Sequence, residues 1–133
     1  MVQDLHLAID LRVCPTVRES DGLALSSRNA YLHPSQRKDA LILWHALKAG
    51  LDAYADQPSA RATTILEIAQ SSMLKGIGDA SGPISLDYLE IVHPETLQPL
   101  TNADAAKGGI LLGAFSLKGG DRTIRLIDNV ILD

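Results

Sequence analysis

Residues 26–28 are Ser-Ser-Arg, two hydroxyls followed by a guanidinium. They sit inside the run Val17-Arg18-Glu19-Ser20-Asp21-Gly22-Leu23-Ala24-Leu25-Ser26-Ser27-Arg28-Asn29. Hydroxyl and backbone N–H groups donate to phosphate oxygens, and the planar fork of an arginine matches two such oxygens at once. Ser26, Ser27 and Arg28 are therefore candidates for holding a phosphate. A serine that merely caps a helix, followed by a solvent-facing arginine, gives the same tripeptide, and spacing alone leaves both possibilities open.

Other chemistry-bearing residues are less focused. His6, His33, His45 and His93 fall in different predicted elements without metal-ligand spacing, and are expected to be surface or structurally satisfied histidines. Cys14 is the single cysteine, so no internal disulfide is possible; it is expected to be a small buried hydrophobe. Lys107-Gly108-Gly109 and Lys118-Gly119-Gly120 lack the full phosphate-loop spacing and fit a strand entry and a hairpin turn. Within Arg125-Leu126-Ile127-Asp128-Asn129 a structural Arg–Asp pair is expected, with an interface as the alternative. Arg18, Glu19 and Asp21 are expected to form a solvated loop cluster that positions the Ser-Ser-Arg turn.

These residues must be carried by elements that the patterning defines. Asp21-Gly22 marks a turn, and a short helical turn is expected from Ser26 to Tyr31. Pro34 suits the first position of a helix, and Leu41, Trp44, Leu47, Leu51 and Tyr54 then recur at helical spacing. Leu43 and Ala46 widen that stripe, Gly50 lies within it and disfavours its continuity, and Asp56-Gln57-Pro58 breaks it. Ser59 is the expected N-cap of a second helix with Ala62, Ile65, Leu66, Ala69 and Met73 on one face, closed by Gly76 and Gly78 as left-handed caps. The two helices should pack as an antiparallel hairpin. Strands are expected at Ile84–Val92, Ile110–Leu117 and Thr123–Ile127, antiparallel at least for the last pair. At the N-terminus, residues 1–6 look like the tail of a helix, and Leu7–Val13 alternates as a strand that ends at Pro15. That unit fits either the last piece of an upstream α/β domain or a simple edge strand.

Composition narrows the class. The chain has 133 residues, 46% hydrophobic and 21% charged, which suits one globular domain with a real core. A net charge of −4 argues against a nucleic-acid surface. No apolar run approaches the roughly 18 residues needed to span a bilayer, and no signal-like start is present, so no membrane partner and a cytoplasmic location are expected.

Taken together, Pro15-Thr16-Val17-Arg18-Glu19, the run from Asp21 to Asn29, and Tyr31-Leu32 resemble the pantothenate synthetase (pantoate–β-alanine ligase) family. Asp87-Tyr88-Leu89-Glu90, Pro94-Glu95-Thr96-Leu97 and Arg125-Leu126-Ile127-Asp128-Asn129 resemble that family's C-terminal domain in the same order. The resemblance implies an ATP-dependent ligase that forms pantoyl adenylate, then pantothenate by attack of the β-alanine amine. It implies a C-terminal lid domain over residues 17–133, with residues 1–16 as the remnant of an N-terminal Rossmann-type domain and linker. It places Val17 and Leu25 at the adenine, and Ser26, Ser27 and Arg28 at the phosphates of ATP with Mg²⁺.

The family's paired-histidine motif and its residues for pantoate and β-alanine belong to the N-terminal domain, and nothing here supplies them. The chain alone is therefore expected to be inactive. The full-length family member is expected to be a homodimer, and this chain a monomer with Leu5, Ile9 and Leu11 left uncovered. The fold expected is α+β: a helical hairpin on a small, mainly antiparallel three-stranded sheet, preceded by a remnant strand. A non-catalytic interaction or assembly module on the same fold is the rival function.

Overall fold

A computed structural model describes residues 4–100, 106–119 and 122–133. Its centre is a three-stranded sheet in the order β1-β2-β3: β1 Ile84–Val92, β2 Ile110–Gly119 and β3 Arg122–Ile131. Both neighbouring pairs are antiparallel, with a β-bulge between Leu86 and Tyr88. Period-two alternation places Leu111, Phe115 and Leu117 of β2 on one face, beside Ile124 and Leu126 of β3. All five are buried, with Leu89 and Ile91 of β1, and this face meets the helices.

Three α-helices follow one another before the sheet: α1 Pro34–Ala40, α2 Ile42–Asp56 and α3 Ala62–Gly78. Pro34 opens α1 as expected, behind a His33 cap whose ring accepts from Ser35 N–H while the Gln36 side chain accepts from His33 N–H. α2 and α3 pack on each other, α2 lies on β2 and β3, and α3 touches β1. The α+β architecture and the helical hairpin expected from periodicity are both present.

Several local expectations change. The pattern from Pro34 to Tyr54 is two helices with a turn residue at Leu41, whose N–H reaches Lys38 O at 3.3 Å. The buried stripe of α2 is Ile42, Leu43, Ala46, Leu47, Gly50 and Tyr54, while Trp44 stays half-buried at its edge. Gly50 does not break the helix. A Cβ there would lie 2.5 Å from Leu111 Cδ2 and 3.4 Å from Ala69 Cβ, so its lack of a side chain permits three elements to meet closely. Ser59 does not cap α3; Arg61 occupies the N-cap with no side-chain bond. Gly76 and Gly78 are helical residues, and Asp79 follows as the C-cap with φ −93°. Both helix-end glycines therefore fail as left-handed caps. β3 runs four residues past Ile127, because Ile131 still pairs with Ile110.

The N-terminal segment differs most. Residues 7–17 form no strand or bridge and are exposed throughout. Alternation marks a half-buried strand only where a neighbour completes its ladder, and among the described residues no strand lies beside this one. Residues 4–6 are a turn, and residues 1–3 of the expected helix tail lie outside the described residues. Leu5, Ile9 and Leu11 are 62%, 59% and 73% exposed, as expected, and Cys14 is exposed too, not buried. Lys107-Gly108-Gly109 is the expected turn into β2, with Gly108 at φ +77°. The hairpin turn expected at Lys118-Gly119-Gly120 falls partly on residues 120 and 121, which lie outside the described residues. No helix among the described residues is long and apolar enough to cross a membrane.

Candidate functional site

The Ser-Ser-Arg tripeptide stands at the end of a tight loop whose two arms are tied together. Arg18 and Ala24 form an isolated antiparallel bridge. Leu25 N–H donates to Val17 O at 2.9 Å, and Glu19 N–H donates to Leu23 O at 2.8 Å. At the tip Gly22 has φ +97°, and Asp21 Oδ1 accepts from Leu23 N–H at 3.2 Å. Only glycine adopts that backbone without strain, and an added Cβ would overlap the Trp44 ring.

From this stem the chain enters a short 3-10 helix, Ser27–Tyr31. Ser26 is its N-cap, and its Oγ accepts from Arg28 N–H at 3.2 Å. The capping role weighed from sequence is thus real. It uses one acceptor lone pair and leaves the Ser26 hydroxyl proton free to donate elsewhere. Leu25, Ser26 and Arg28 line a cavity of about 540 Å³ together with Trp44, Tyr88 and Asn129. Val17 and Ser27 do not line it. The hydrogen bond to Leu25 nevertheless brings Val17 beside the other four, so one loop gathers all five residues.

Arg28 is exposed, and it also borders an adjoining recess of about 460 Å³ shared with Tyr31, Arg122 and Arg125. The arginines divide sharply by partner. Arg18 grips Asp128, Arg37 bridges Glu19 and Asp21, and Arg125 holds Asp87 at 2.7 Å. The guanidinium of Arg122 lies 5.6 Å from the centre of the Tyr31 ring. Among the described residues Arg28 has no carboxylate partner, so its donors are available to a ligand.

The loop's own charges are engaged internally. Arg37 on α1 bonds Glu19 at 2.7 Å and Asp21 at 2.8 Å, and Asn29 Nδ2 donates to Glu19 at 2.7 Å and to Ala24 O at 3.0 Å. The hydrogen bond from Arg37 holds the carboxyl of Glu19 below its ordinary range, helped by Asn29. Arg37 likewise pulls the Asp21 carboxyl down, and Glu19 and Asp21 push the guanidinium of Arg37 up. The bond to Asp87 raises Arg125.

Two sequence expectations need correction here. Arg125 and Asp128 do not pair with each other, because an odd spacing on a strand sends their side chains to opposite faces. Arg18 is not a solvated loop residue. It donates to both Asp128 oxygens, at 2.5 and 3.0 Å, with side-chain exposures of only 17% and 5%. It also lies 3.8 Å over the Trp44 ring and donates to Gly22 O at 3.1 Å. Asp128, Trp44 and Arg37 were missed as parts of the site. The Arg18–Asp128 contact joins residues 110 apart, which no local pattern can signal.

The histidines serve local structure where they are bonded. His33 caps α1, and His93 Nδ1 accepts from Glu95 N–H at 3.2 Å. No group of three or more His, Cys, Asp or Glu among the described residues is arranged to hold a metal ion. Asp39, which sequence patterning did not single out, is a buried carboxylate on α1 that accepts from Ser81 N–H at 3.1 and 3.2 Å and so anchors the loop before β1.

Comparison with known proteins now bears on this geometry. A family sequence model described as Pantoate-beta-alanine ligase matches residues 1–131. The chain belongs to the pantoate-beta-alanine ligase family. It is 43% identical over 132 residues to a pantothenate synthetase of Koribacter versatilis, covering 99% of this chain and 41% of that protein. It is 35% identical over 133 residues to a bifunctional pantoate ligase/cytidylate kinase of Synechocystis, covering 24% of that protein. The crystal structure of pantothenate synthetase from Thermus thermophilus superimposes with a TM-score of 0.73 at 37% identity, over 98% of this chain and 43% of the other. The chain thus spans less than half the length of these relatives, and corresponds to the C-terminal part of the pantothenate synthetases.

Proposed function

We propose that this chain is the ATP-clamping lid of a pantoate–β-alanine ligase, residues 17–133 forming the lid and residues 1–16 the end of a preceding Rossmann-type domain. One observation carries the reading of the site. Among the described residues, Arg28 alone of the arginines around the two recesses has neither a carboxylate nor an aromatic ring as partner, and it stands beside a serine hydroxyl at a cavity rim. A cation without a partner is strongly hydrated unless an anion replaces that water, and a polyphosphate supplies several charged oxygens at once.

In the full-length ligase a pantoate carboxylate oxygen would attack the α-phosphorus of ATP. That bond forms as the bond to pyrophosphate breaks, giving pantoyl adenylate. The amine of β-alanine would then attack the acyl carbon, lose a proton and expel AMP. Negative charge builds on the departing pyrophosphate in the first step. Arg28, with the hydroxyls of Ser26 and Ser27, would stabilise that charge as it develops. Val17 and Leu25, joined through their backbones, would contact the adenine. Loss of Arg28 should therefore reduce adenylation more than substrate binding. The described residues do not themselves fit a metal site, so Mg²⁺ would arrive as the counter-ion of ATP.

Pantoate and β-alanine would be held by the preceding domain, and the isolated chain would not turn over. The test is a residue-by-residue NMR titration of the chain with Mg-ATP, repeated with Arg28→Ala. Shifts confined to Val17 and Leu25–Arg28 that vanish in the mutant are expected. Shifts clustered elsewhere would move the site, and a silent titration would mean that the clamp needs the preceding domain or that the likeness no longer carries function, as in a non-catalytic assembly module.

A further inference from the structure

We propose that Arg18 is a positioning residue that fixes the Ser26–Arg28 clamp by gripping Asp128 on β3. This inference rests on the nucleotide-binding role proposed above and assigns the part that aims it. Four contacts converge on one guanidinium. Arg18 makes a two-pronged bond to Asp128, a bond to Gly22 O at the loop tip, a longer one to Asn129 O at 3.3 Å, and a stacking contact on Trp44.

Together they tie the loop to two rigid bodies and to its own tip. Asp128 belongs to the edge strand β3 and Trp44 to α2, while Gly22 belongs to the loop itself. Arg18 therefore joins loop, sheet and helix through one side chain. Its backbone pairs with Ala24, two residues before Ser26, so a shift of Arg18 moves the base of the clamp directly. The pair is mostly shielded from water, where a two-pronged charge-assisted bond is both strong and directional. Arg37 braces the opposite side of the loop through Glu19 and Asp21, but its partners are about one-third exposed and respond to salt and acid. Orientation of the clamp falls to Arg18 and Asp128.

The variants that test this are Arg18→Gln, Arg18→Lys and Asp128→Asn, with Lys48→Gln on the exposed face of α2 as a control. The first readout is amide hydrogen exchange in the ligand-free chain. In Arg18→Gln the Glu19 and Leu25 amides, bonded across the loop, should exchange at least about tenfold faster, which corresponds to losing one charge-assisted bond. Amides of Phe115 and Leu126 in the sheet should keep the wild-type rate. Arg18→Lys, which retains the charge and the contact with Trp44 but loses the fork, should fall between wild type and Arg18→Gln, as should Asp128→Asn. The second readout is Mg-ATP affinity by NMR, expected to weaken by about tenfold or more in Arg18→Gln, with bound-state shifts on the same residues.

Unchanged loop exchange in a folded Arg18→Gln would overturn the proposal. So would equal acceleration of loop and sheet amides, since that is a loss of global stability. A loosened loop that still binds Mg-ATP at wild-type strength would overturn it as well. If the wild-type chain binds no Mg-ATP, the isolated loop is not a nucleotide site by itself, and the exchange data alone decide whether Arg18 holds the loop.

Discussion

Two regions of this molecule are held together by different physics. The layer of α2, α3 and the sheet closes around Phe115, Leu47, Ile65, Met73 and Leu111, all with almost no exposed surface. The loop of residues 17–29 buries only Leu23 and relies on Arg18, Arg37 and Asn29 for its shape. Apolar burial is insensitive to salt and pH, whereas partly exposed ion pairs respond to both. The loop can therefore be loosened under conditions that leave its scaffold intact. That arrangement would suit the lid proposed above, because segments that move are drawn from the less stable end of a structure.

The contrast can be broken or sharpened by experiment. The largest effect is expected from Phe115→Ala, which empties the centre of the core and should cost about 4 kcal/mol of global stability. Thermal unfolding by circular dichroism reads it, and sheet and loop should then melt together. Gly22→Ala should cost about 2 kcal/mol, from the left-handed backbone and the overlap with Trp44. Its damage should be local, appearing as exposed Trp44 fluorescence with little change in the far-ultraviolet spectrum. A mutant that instead melts as a whole would show that the loop and the layer form one cooperative unit.

Acid provides a finer separation. The carboxyls of Glu19 and Asp21 lie below their ordinary values of 4.5 and 3.8, so the stability they contribute is complete above those values. It is lost as pH falls through the lowered values of the folded state. Trp44 fluorescence should therefore begin to change below about pH 4, ahead of the helical signal, and Arg37→Gln should abolish that early change. The smallest effect is expected at the exposed Lys48–Asp52 pair within α2, where Lys48→Gln should shift stability by about 0.3–0.5 kcal/mol.

The parts of the fold that sequence patterning captured are those with one dominant period and a buried face. β1 was located to the residue, and Ala62, Ile65, Ala69 and Met73 form the buried face of α3 as the spacing requires. Patterning failed where a partner decided the outcome. Leu7–Val13 has the alternation of a strand but no neighbour among the described residues, and Gly76 reads as a helix end but, like Gly50 inside α2, serves close packing. A Cβ on Gly76 would lie 2.6 Å from Ile42 Cγ2. The site divides in the same way. Ser26, Ser27 and Arg28 are contiguous, so their donor set can be read from the chain itself, although spacing alone leaves a plain serine cap open. Arg18, Asp128 and Trp44 meet only after folding, so the sequence points to Arg18 as part of a solvated cluster beside the turn and not to the shielded pair with Asp128.

The exposed row at the N-terminus has a practical consequence. Leu7, Ile9, Leu11 and Val13 occupy alternate positions with 43%, 59%, 73% and 77% of their surface in water. Such a segment carries both unpaired backbone groups and an apolar stripe, the two ingredients from which chains build intermolecular β-ladders. Cys14, one residue further on and also exposed, can lock any such encounter as a disulfide under oxidising conditions. Concentrated solutions of this chain should thus precipitate through their first fifteen residues, and a single charge at Ile9 or Leu11, with reductant present, should keep them clear.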